Sequence, residues 1–117
     1  MITRTPSQIL AVKSFDQGAK SERVILPQAD GCRVKVTRFI APAGSRWENL
    51  VEPVDATMYV MKGVIRVAVA GKTETLSQGA VYHVPTGEAR TIDIIEDGTF
   101  LCFFSQAGDG APMPKDD

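Results

Sequence analysis

The stretch Gly79–Arg90 (GAVYHVPTGEAR) contains the two side chains of this sequence with the clearest capacity for chemistry. His83 is the only histidine of the chain, and an imidazole is the best proton-transfer group near neutral pH. Arg90 follows the turn signal Pro85-Thr86-Gly87, and the planar fork of an arginine can hold a carboxylate or a phosphate. Strand parity groups His83 with Val81 but leaves open which face points inward, and a lone strand histidine more often has a structural role.

The two cysteines are candidate nucleophiles, but their sequence context gives little evidence for catalysis. Cys32 and Cys102 sit beside strand-like residues, and neither has a CxxC partner. Two free buried thiols are therefore expected, which favours a reducing, cytoplasmic location. A Cys102–His83 pair stays open, because a nucleophile and its base can meet across strands. The sequence has no GxSxG motif and no phosphate-binding glycine loop.

These candidate residues lie in or next to short runs in which apolar and polar residues alternate, and each run ends at a glycine or proline. They predict an all-β domain, since no helical pattern of apolar residues runs between residues 30 and 105 without an interrupting glycine or proline. Residues 106–117 are expected to form a surface tail. The predicted strands are Val34–Ile40, Thr57–Met61, Val64–Val69, Thr73–Leu76, Val81–Val84, Arg90–Ile95 and Phe100–Phe104, with weaker candidates at Gln8–Val12 and Glu22–Leu26.

The bulk composition bounds the class of protein. The chain has 117 residues, of which 44% are hydrophobic and 23% charged, and its net charge is −1. These values predict one folded domain. The charge balance gives no reason to expect nucleic acid or an anionic membrane as a partner. No apolar run approaches the roughly 20 residues of a membrane helix, and the N-terminal MITRTPSQIL does not resemble a secretory signal.

The frame of glycines and prolines resembles that of the cupin superfamily. One family motif reads glycine, five residues, Pro-x-Gly, two residues and histidine, and Gly79, Pro85 and Gly87 stand at its spacings. The turn Pro42-Ala43-Gly44 and the glycine-ended strand Met58–Gly63 match parts of the other motif, so the resemblance covers about residues 34–105. It implies a single-domain cupin-like antiparallel β-barrel (double-stranded β-helix or jelly roll) over residues 1–117, with its core at about 30–105. It also implies a homodimer, which would cover an exposed strand edge.

The metal-ligand positions of the family motifs hold other residues in this chain. The two histidines fall on Leu50 and Glu52, the glutamate on Ala56 and the last histidine on Arg90. Transition metals are held by imidazoles and carboxylates, whereas an arginine offers no lone pair and stays cationic near neutral pH. The resemblance therefore implies the fold, but no metal and no other cofactor.

In the family register, Glu52 and Arg90 point into the barrel from facing strands. They could form an ion pair, or Arg90 could hold the anionic group of a ligand and leave Glu52 as a general base. Arg90 could also reach solvent at the barrel mouth. The predicted site has His83 and Glu52 as catalytic residues, and Arg90, Arg38, Trp47, Met58 and Tyr59 as binding residues.

Four of the binding residues are predicted from the residues around them in the sequence. Arg38 shares a strand face with apolar residues, so it is a candidate for an inward arginine. Trp47 follows a turn and could form an aromatic wall at the barrel mouth. Met58 and Tyr59 lie in a strand rich in apolar residues, where an inner-face side chain would line any cavity.

These residues predict a metal-independent barrel that binds a small polar or anionic metabolite. The chemistry would be that of an isomerase or epimerase, a cyclase or a lyase, because such reactions need only an acid, a base and a cationic clamp. One alternative is a non-catalytic ligand-sensing or scaffold barrel. A further alternative is a metalloenzyme with an unusual ligand set, Glu48, Glu52 and His83.

Overall fold

Branched and aromatic residues alternate with polar ones along most of the chain, and these runs form one antiparallel sheet of eight strands. The computed structural model describes residues 1–105, so the expected tail at 106–117 lies outside the described residues. A 3₁₀ turn, Pro6–Gln8, precedes the sheet. The strands are β1 (Ala11–Ser14), β2 (Lys20–Ile25), β3 (Val34–Ala41), β4 (Arg46–Leu50), β5 (Asp55–Val69), β6 (Lys72–Ser77), β7 (Val81–Val84) and β8 (Arg90–Ser105), with a single helical turn, α1 (Pro27–Asp30), before β3.

The long strands β5 and β8 run side by side through two facing layers. In the first layer, β1, β2 and β3 continue into the second half of β8, the first half of β5 and then β7. In the second layer, β4 pairs with the first half of β8, which pairs with the second half of β5 and so reaches β6. This arrangement confirms the predicted all-β, cupin-like architecture. One sheet surrounds one hydrophobic cluster. That a single domain extends over residues 1–117 stays a prediction.

Two glycines mark the place where β5 and β8 bend from one layer to the other. The sequence predicted a strand end at Gly63 and a turn ending at Gly98, but both strands continue through these positions. Gly63 has φ +91°, and a Cβ there would lie 2.6 Å from the carbonyl oxygen of Asp97. A Cβ on Gly98 would lie 2.5 Å from the carbonyl oxygen of Lys62. The glycines therefore permit a close crossing of two bent strands rather than ending them.

The core lies between the layers and is built from alternate residues of the two long strands. Val60 and Ile65 of β5 and Phe100 and Cys102 of β8 are almost fully buried. Ile94 belongs to the same cluster, which joins the two layers. No helix of residues 1–105 is long and apolar enough to cross a membrane.

Candidate functional site

A cavity of about 330 Å³ opens between the two layers, next to the apolar core. Within residues 1–105, four basic side chains and one carboxylate line the cavity, so its described lining is rich in positive charge. Four aromatic side chains form part of the remaining wall. The basic residues are Lys13, Arg23, Lys35 and Arg90, the acid is Glu52, and the aromatic residues are Phe15, Phe39, Trp47 and Phe104.

Three of the four cations come from neighbouring strands of the first layer. In the β2–β3 register Arg23 lies opposite Thr37, and Lys35 is two residues from Thr37 on the same face of β3. Arg23 is held in place because its Nη1 donates to the hydroxyl and the carbonyl oxygen of Ser21. The ammonium of Lys35 lies 5.2 Å from the ring centroid of Phe104, a cation–π distance. These cations therefore stand on one preorganised wall of the cavity.

Arg90 reaches the cavity from the second layer, where β8 begins. Only 3% of its side chain is exposed, so it does not reach solvent at a barrel mouth. Its Nη2 lies 3.9 Å from Oε1 of Glu52, which is an ion-pair contact longer than a hydrogen bond. Its Nε and Nη1 have no hydrogen-bond partner among residues 1–105. The ion pair, one of the alternatives that the sequence left open, is present, but it leaves two of the three guanidinium nitrogens without a hydrogen-bond partner among residues 1–105.

Backbone contacts fix Arg90 and Glu52 relative to each other. Leu50 pairs with Arg90 in the β4–β8 register, and Gly87 donates its N–H to the carbonyl oxygen of Glu52 at 2.9 Å. The turn that precedes Arg90 is thus tied to the residue that supplies the acid. Asn49, with φ +50°, lies within the register shift that precedes Leu50.

A row of inner-face residues crosses the first layer beneath Arg90. Thr37, Cys102, Met58 and Tyr82 lie opposite one another on successive strands. The hydroxyl of Thr37 is buried and makes no hydrogen bond within the described part of the chain. The buried hydroxyl of Tyr82 lies beside the Arg90 guanidinium, but not in the geometry of a hydrogen bond. Burial raises the pKa of the Tyr82 phenol, and the positive charge of Arg90 and its contact with the phenol oppose that shift. Burial likewise raises the pKa of the Cys102 thiol to about 12, again against the effect of Arg90.

Of the other predicted binding residues, Trp47 lines the cavity, whereas Met58 lies deeper and outside its lining. Trp47 meets Phe15 and Phe39 edge to face, with centroid distances of 5.4 Å and 6.0 Å. Met58 and Arg90 border a second, smaller void of about 30 Å³, whose other lining residues are apolar. The aromatic group offers a flat apolar wall to a ligand.

The structure does not bring His83 into this cavity, because Tyr82 and Val84 take the inward positions of β7. The His83 side chain is 48% exposed. Its Nδ1 lies 2.7 Å from the hydroxyl of Thr57, and its Nε2 lies 3.5 Å from Oδ2 of Asp55. Both contacts are on the outer face, so the geometry does not support an acid–base pair of His83 and Glu52.

Arg38 and Tyr59 also point away from the cavity. Arg38 donates to Glu22 Oε1 at 3.0 Å on the outer face of the first layer. Tyr59 is 39% exposed on the outer face of β5. The physical reason is strand parity: Lys35, Thr37 and Phe39 are the inner residues of β3, so Arg38 must face outward.

Sequence reasoning missed the cationic wall and the two buried hydroxyls. The inner face of β3 is the more polar of its two faces. The sequence had favoured the other face as the inner one, because the residues on the same face as Arg38 are apolar. A signal was available in Lys35-x-Thr37-x-Phe39, a mixed cationic and aromatic face typical of a lined cavity. Lys13 and Arg23 lie in β1 and β2, whose patterns predicted strands only weakly.

No protein-family model matches this sequence, and no curated protein is significantly similar to it. Solved structures are similar in fold. An RmlC-like cupin from Shewanella frigidimarina is 16% identical, with a TM-score of 0.76 over 92% of this chain and 91% of that one. An ectoine synthase from P. lautus is 19% identical, with a TM-score of 0.76 over 90% and 78% of the two chains. KdgF from Halomonas sp. is 18% identical, with a TM-score of 0.71 over 81% and 86%.

The chain therefore has the cupin fold, as its glycine and proline motifs predicted. At identities below 20%, these likenesses establish the fold and leave the chemistry to the residues of this cavity.

The residues at the family's metal-ligand positions do not fit a transition metal. Leu50 and Ala56 offer no donor atom, and Arg90 brings a positive charge beside Glu52. Within residues 1–105 no three His, Cys, Asp or Glu side chains cluster as a metal site. The alternative set of Glu48, Glu52 and His83 is not assembled, since Glu48 pairs with Arg46 on the exposed side of β4 and His83 lies on the outer face.

Proposed function

We propose that this protein binds a small anionic metabolite in the cavity between its two layers, with Arg90 as the principal anchor and without a transition metal. The observation that carries the proposal is the buried Arg90, whose Nε and Nη1 lack hydrogen-bond partners within residues 1–105. Burying a charged group without partners is costly. A bound carboxylate or phosphate would satisfy both nitrogens through the planar fork of the guanidinium.

The charge and size of the cavity support the same ligand class. Counted over residues 1–105, four cations against one carboxylate give the lining a formal charge of +3, whereas the full sequence carries −1. Cavities for small molecules span about 300–1,000 Å³, and this one, at about 330 Å³, suits a small metabolite. Cytoplasmic location is part of the proposal, supported by the free thiols of Cys32 and Cys102.

Proton-transfer catalysis is a second candidate, favoured by the position of Glu52. Among residues 1–105, Glu52 is the only carboxylate in the cavity lining, and its Oε1 is 3.9 Å from Arg90 Nη2. An anion bound by Arg90 would therefore present its neighbouring atoms to a general base, as an isomerase, epimerase, cyclase or lyase requires. Glu52→Gln would then abolish turnover and keep binding. Binding without any turnover in the wild type would indicate a sensor or scaffold instead.

The binding proposal is tested by thermal unfolding in the presence of succinate or inorganic phosphate. We expect either anion to raise the Tm of the wild type, because a ligand at 100 times its Kd adds about 2.7 kcal/mol of stability. Arg90→Gln should lose this response. Glu52 is 32% exposed and does not depend on the pair, so the variant should fold.

Arg66→Gln is the matched control, because it removes one positive charge from the exposed side of β5. It should respond to anions as the wild type does, and dialysis against EDTA should change nothing. An equal Tm increase in Arg90→Gln, or a response lost after EDTA treatment, would contradict the proposal.

A further inference from the structure

We infer that the ligand of the cavity is a hydroxy acid, and that the side chain of Thr37 recognises the hydroxyl group of this ligand. The inference rests on the proposed function, because it takes Arg90 as the anchor of the acidic group. It adds a specificity-determining residue and narrows the class of ligand.

Thr37 has a fixed place in the lining of the cavity. It lies near the middle of β3, on the face that borders the cavity. Its backbone is paired on both sides, with Arg23 of β2 and with Cys102 of β8. A β-branched side chain also has few rotamers in a strand. The hydroxyl of Thr37 is therefore held by the sheet and does not depend on a mobile loop.

This hydroxyl is a polar group that the described chain does not satisfy. Thr37 is 2% exposed, and its Oγ1 is buried without a hydrogen-bond partner among residues 1–105. Buried polar groups are nearly always hydrogen-bonded. Valine has nearly the same shape, suits a strand equally well and would avoid the cost of burying an unpaired hydroxyl. A polar atom of the ligand would provide the missing partner.

The chemistry of the two unsatisfied side chains indicates two different groups on the ligand. The guanidinium of Arg90 is charged and can only donate hydrogen bonds, so it suits an acidic group. The hydroxyl of Thr37 is neutral and can both donate and accept, so it suits a hydroxyl group. A site that binds a ligand hydroxyl in this way discriminates against the analogue without it, because the buried protein group is then left unpaired.

Pairs of acids that differ by one hydroxyl test the inference. Isothermal titration calorimetry near neutral pH and at fixed ionic strength compares acetate with glycolate, propionate with lactate and with 3-hydroxypropionate, and succinate with malate. The pairs place the hydroxyl at different positions relative to the acidic group. We expect the wild type to bind at least one hydroxy acid about fivefold or more tightly than its unsubstituted partner, which is the gain from one hydrogen bond.

Thr37→Val should abolish this preference and bind the unsubstituted acids as the wild type does. The substitution removes a buried hydroxyl without a partner and nearly keeps the shape of the side chain. In the absence of ligand its Tm should therefore equal or exceed that of the wild type. A variant that is stable but has lost the preference separates a role in recognition from a role in folding.

Thr37→Ser and Thr75→Val are the matched controls. Serine keeps the hydroxyl, so Thr37→Ser should keep the preference for the hydroxy acid. Thr75 is exposed on β6, where the same change to valine should leave the affinity for both members of each pair unaltered. Arg90→Gln should weaken the binding of both members, because it removes the anchor of the acidic group.

The outcomes separate this inference from the proposed function. If the wild type binds both members of every pair equally, or if Thr37→Val keeps the preference, the inference is overturned and anion binding by Arg90 stands. If Thr37→Val weakens both members of each pair to the same extent, Thr37 contacts the acidic group itself, and the inference of a hydroxy acid is again overturned. If no acid binds, the proposed function and the inference fail together.

Discussion

At the scale of single residues, Arg90 places a positive charge in a buried position, where the loss of hydration is energetically unfavourable. Its side chain is 3% exposed, and its acidic neighbour Glu52 is 3.9 Å away. Transfer of a guanidinium into such a site costs several kcal/mol, and one distant carboxylate offsets only part of that cost. Replacement of a buried ion pair by well-packed apolar side chains is often neutral or stabilising, so the stability of the barrel does not by itself account for Arg90. We infer that the unsatisfied nitrogens serve the ligand rather than the fold.

Cys102 provides a prediction about pH. Burial raises the pKa of its thiol to about 12, from an ordinary value of 9.0. In this interval the unfolded chain releases the thiol proton and the folded chain retains it. The contribution of the thiol to stability is therefore complete below pH 9, about the unfolded pKa, and is lost as the pH rises towards 12.

We expect the free energy of unfolding to fall more steeply with pH in the wild type than in Cys102→Ala. Urea unfolding at several values between pH 8 and about 10.5 measures both slopes. Cys32→Ala, at a more exposed thiol, should keep the slope of the wild type. Equal slopes in Cys102→Ala and the wild type would refute the assignment.

At the scale of secondary-structure elements, the crossing of β5 and β8 decides the shape of the cavity. Gly63 and Gly98 let the two strands bend together and pass from one layer into the other. Arg90, at the start of β8, is thereby held over the row that contains Thr37 in the first layer. A strand end at Gly63, as the sequence predicted, would have separated the two walls of the site.

Gly63→Ala should destabilise the protein more than Gly79→Ala does. Both glycines have φ +91°, so both substitutions carry the cost of about 1–2 kcal/mol for a side chain in this region. A Cβ at Gly63 would also lie 2.6 Å from a carbonyl oxygen of Asp97, whereas one at Gly79 meets nothing within 4 Å. The overlap should add about 1–3 kcal/mol, measured by urea unfolding. Equal losses in the two variants would mean that the crossing tolerates a side chain.

The sequence predicted the frame of the site better than its lining. Gly79, Pro85 and Gly87 located Arg90 because turn residues are fixed by local backbone geometry. Alternation in β3 separated two faces correctly, yet it could not say which was inside, because an inner face that lines a polar cavity breaks the hydrophobic-in rule. The same ambiguity left His83 undecided. Only the pairing of β7 with β5 turns His83 towards Thr57 and away from the cavity.

At the scale of the whole molecule, the outer face of the first layer carries exposed apolar side chains. They come from four adjacent strands, β3, β8, β5 and β7, and form a continuous area. Apolar patches of this kind often mark contacts between proteins. The residues are Val34, Phe103, Tyr59, Met61 and Val81.

The homodimer expected from the sequence stays a prediction, and this face is where we expect it. Tyr59→Lys combined with Phe103→Lys should weaken association at least about tenfold, because charge would be buried in an apolar interface. Light scattering coupled to gel filtration measures the mass across a concentration series. Thr75→Lys, on exposed β6 in the other layer, should leave the mass unchanged. A monomeric wild type, or a double variant with unaltered mass, would refute this surface.

The guanidinium of Arg90 is joined to the polypeptide by covalent bonds, and this has a consequence for how the protein becomes active in a cell. If Arg90 anchors the ligand as proposed, ribosomal synthesis delivers the central charge of the cavity, and a newly folded molecule needs no metal insertion or maturation step. Under the same proposal, a shortage of trace metals would not inactivate the protein, and binding of a wrong metal ion would not inhibit it. The fraction in use would then depend only on how much ligand the cell holds and on how many of that ligand's acidic groups are ionised.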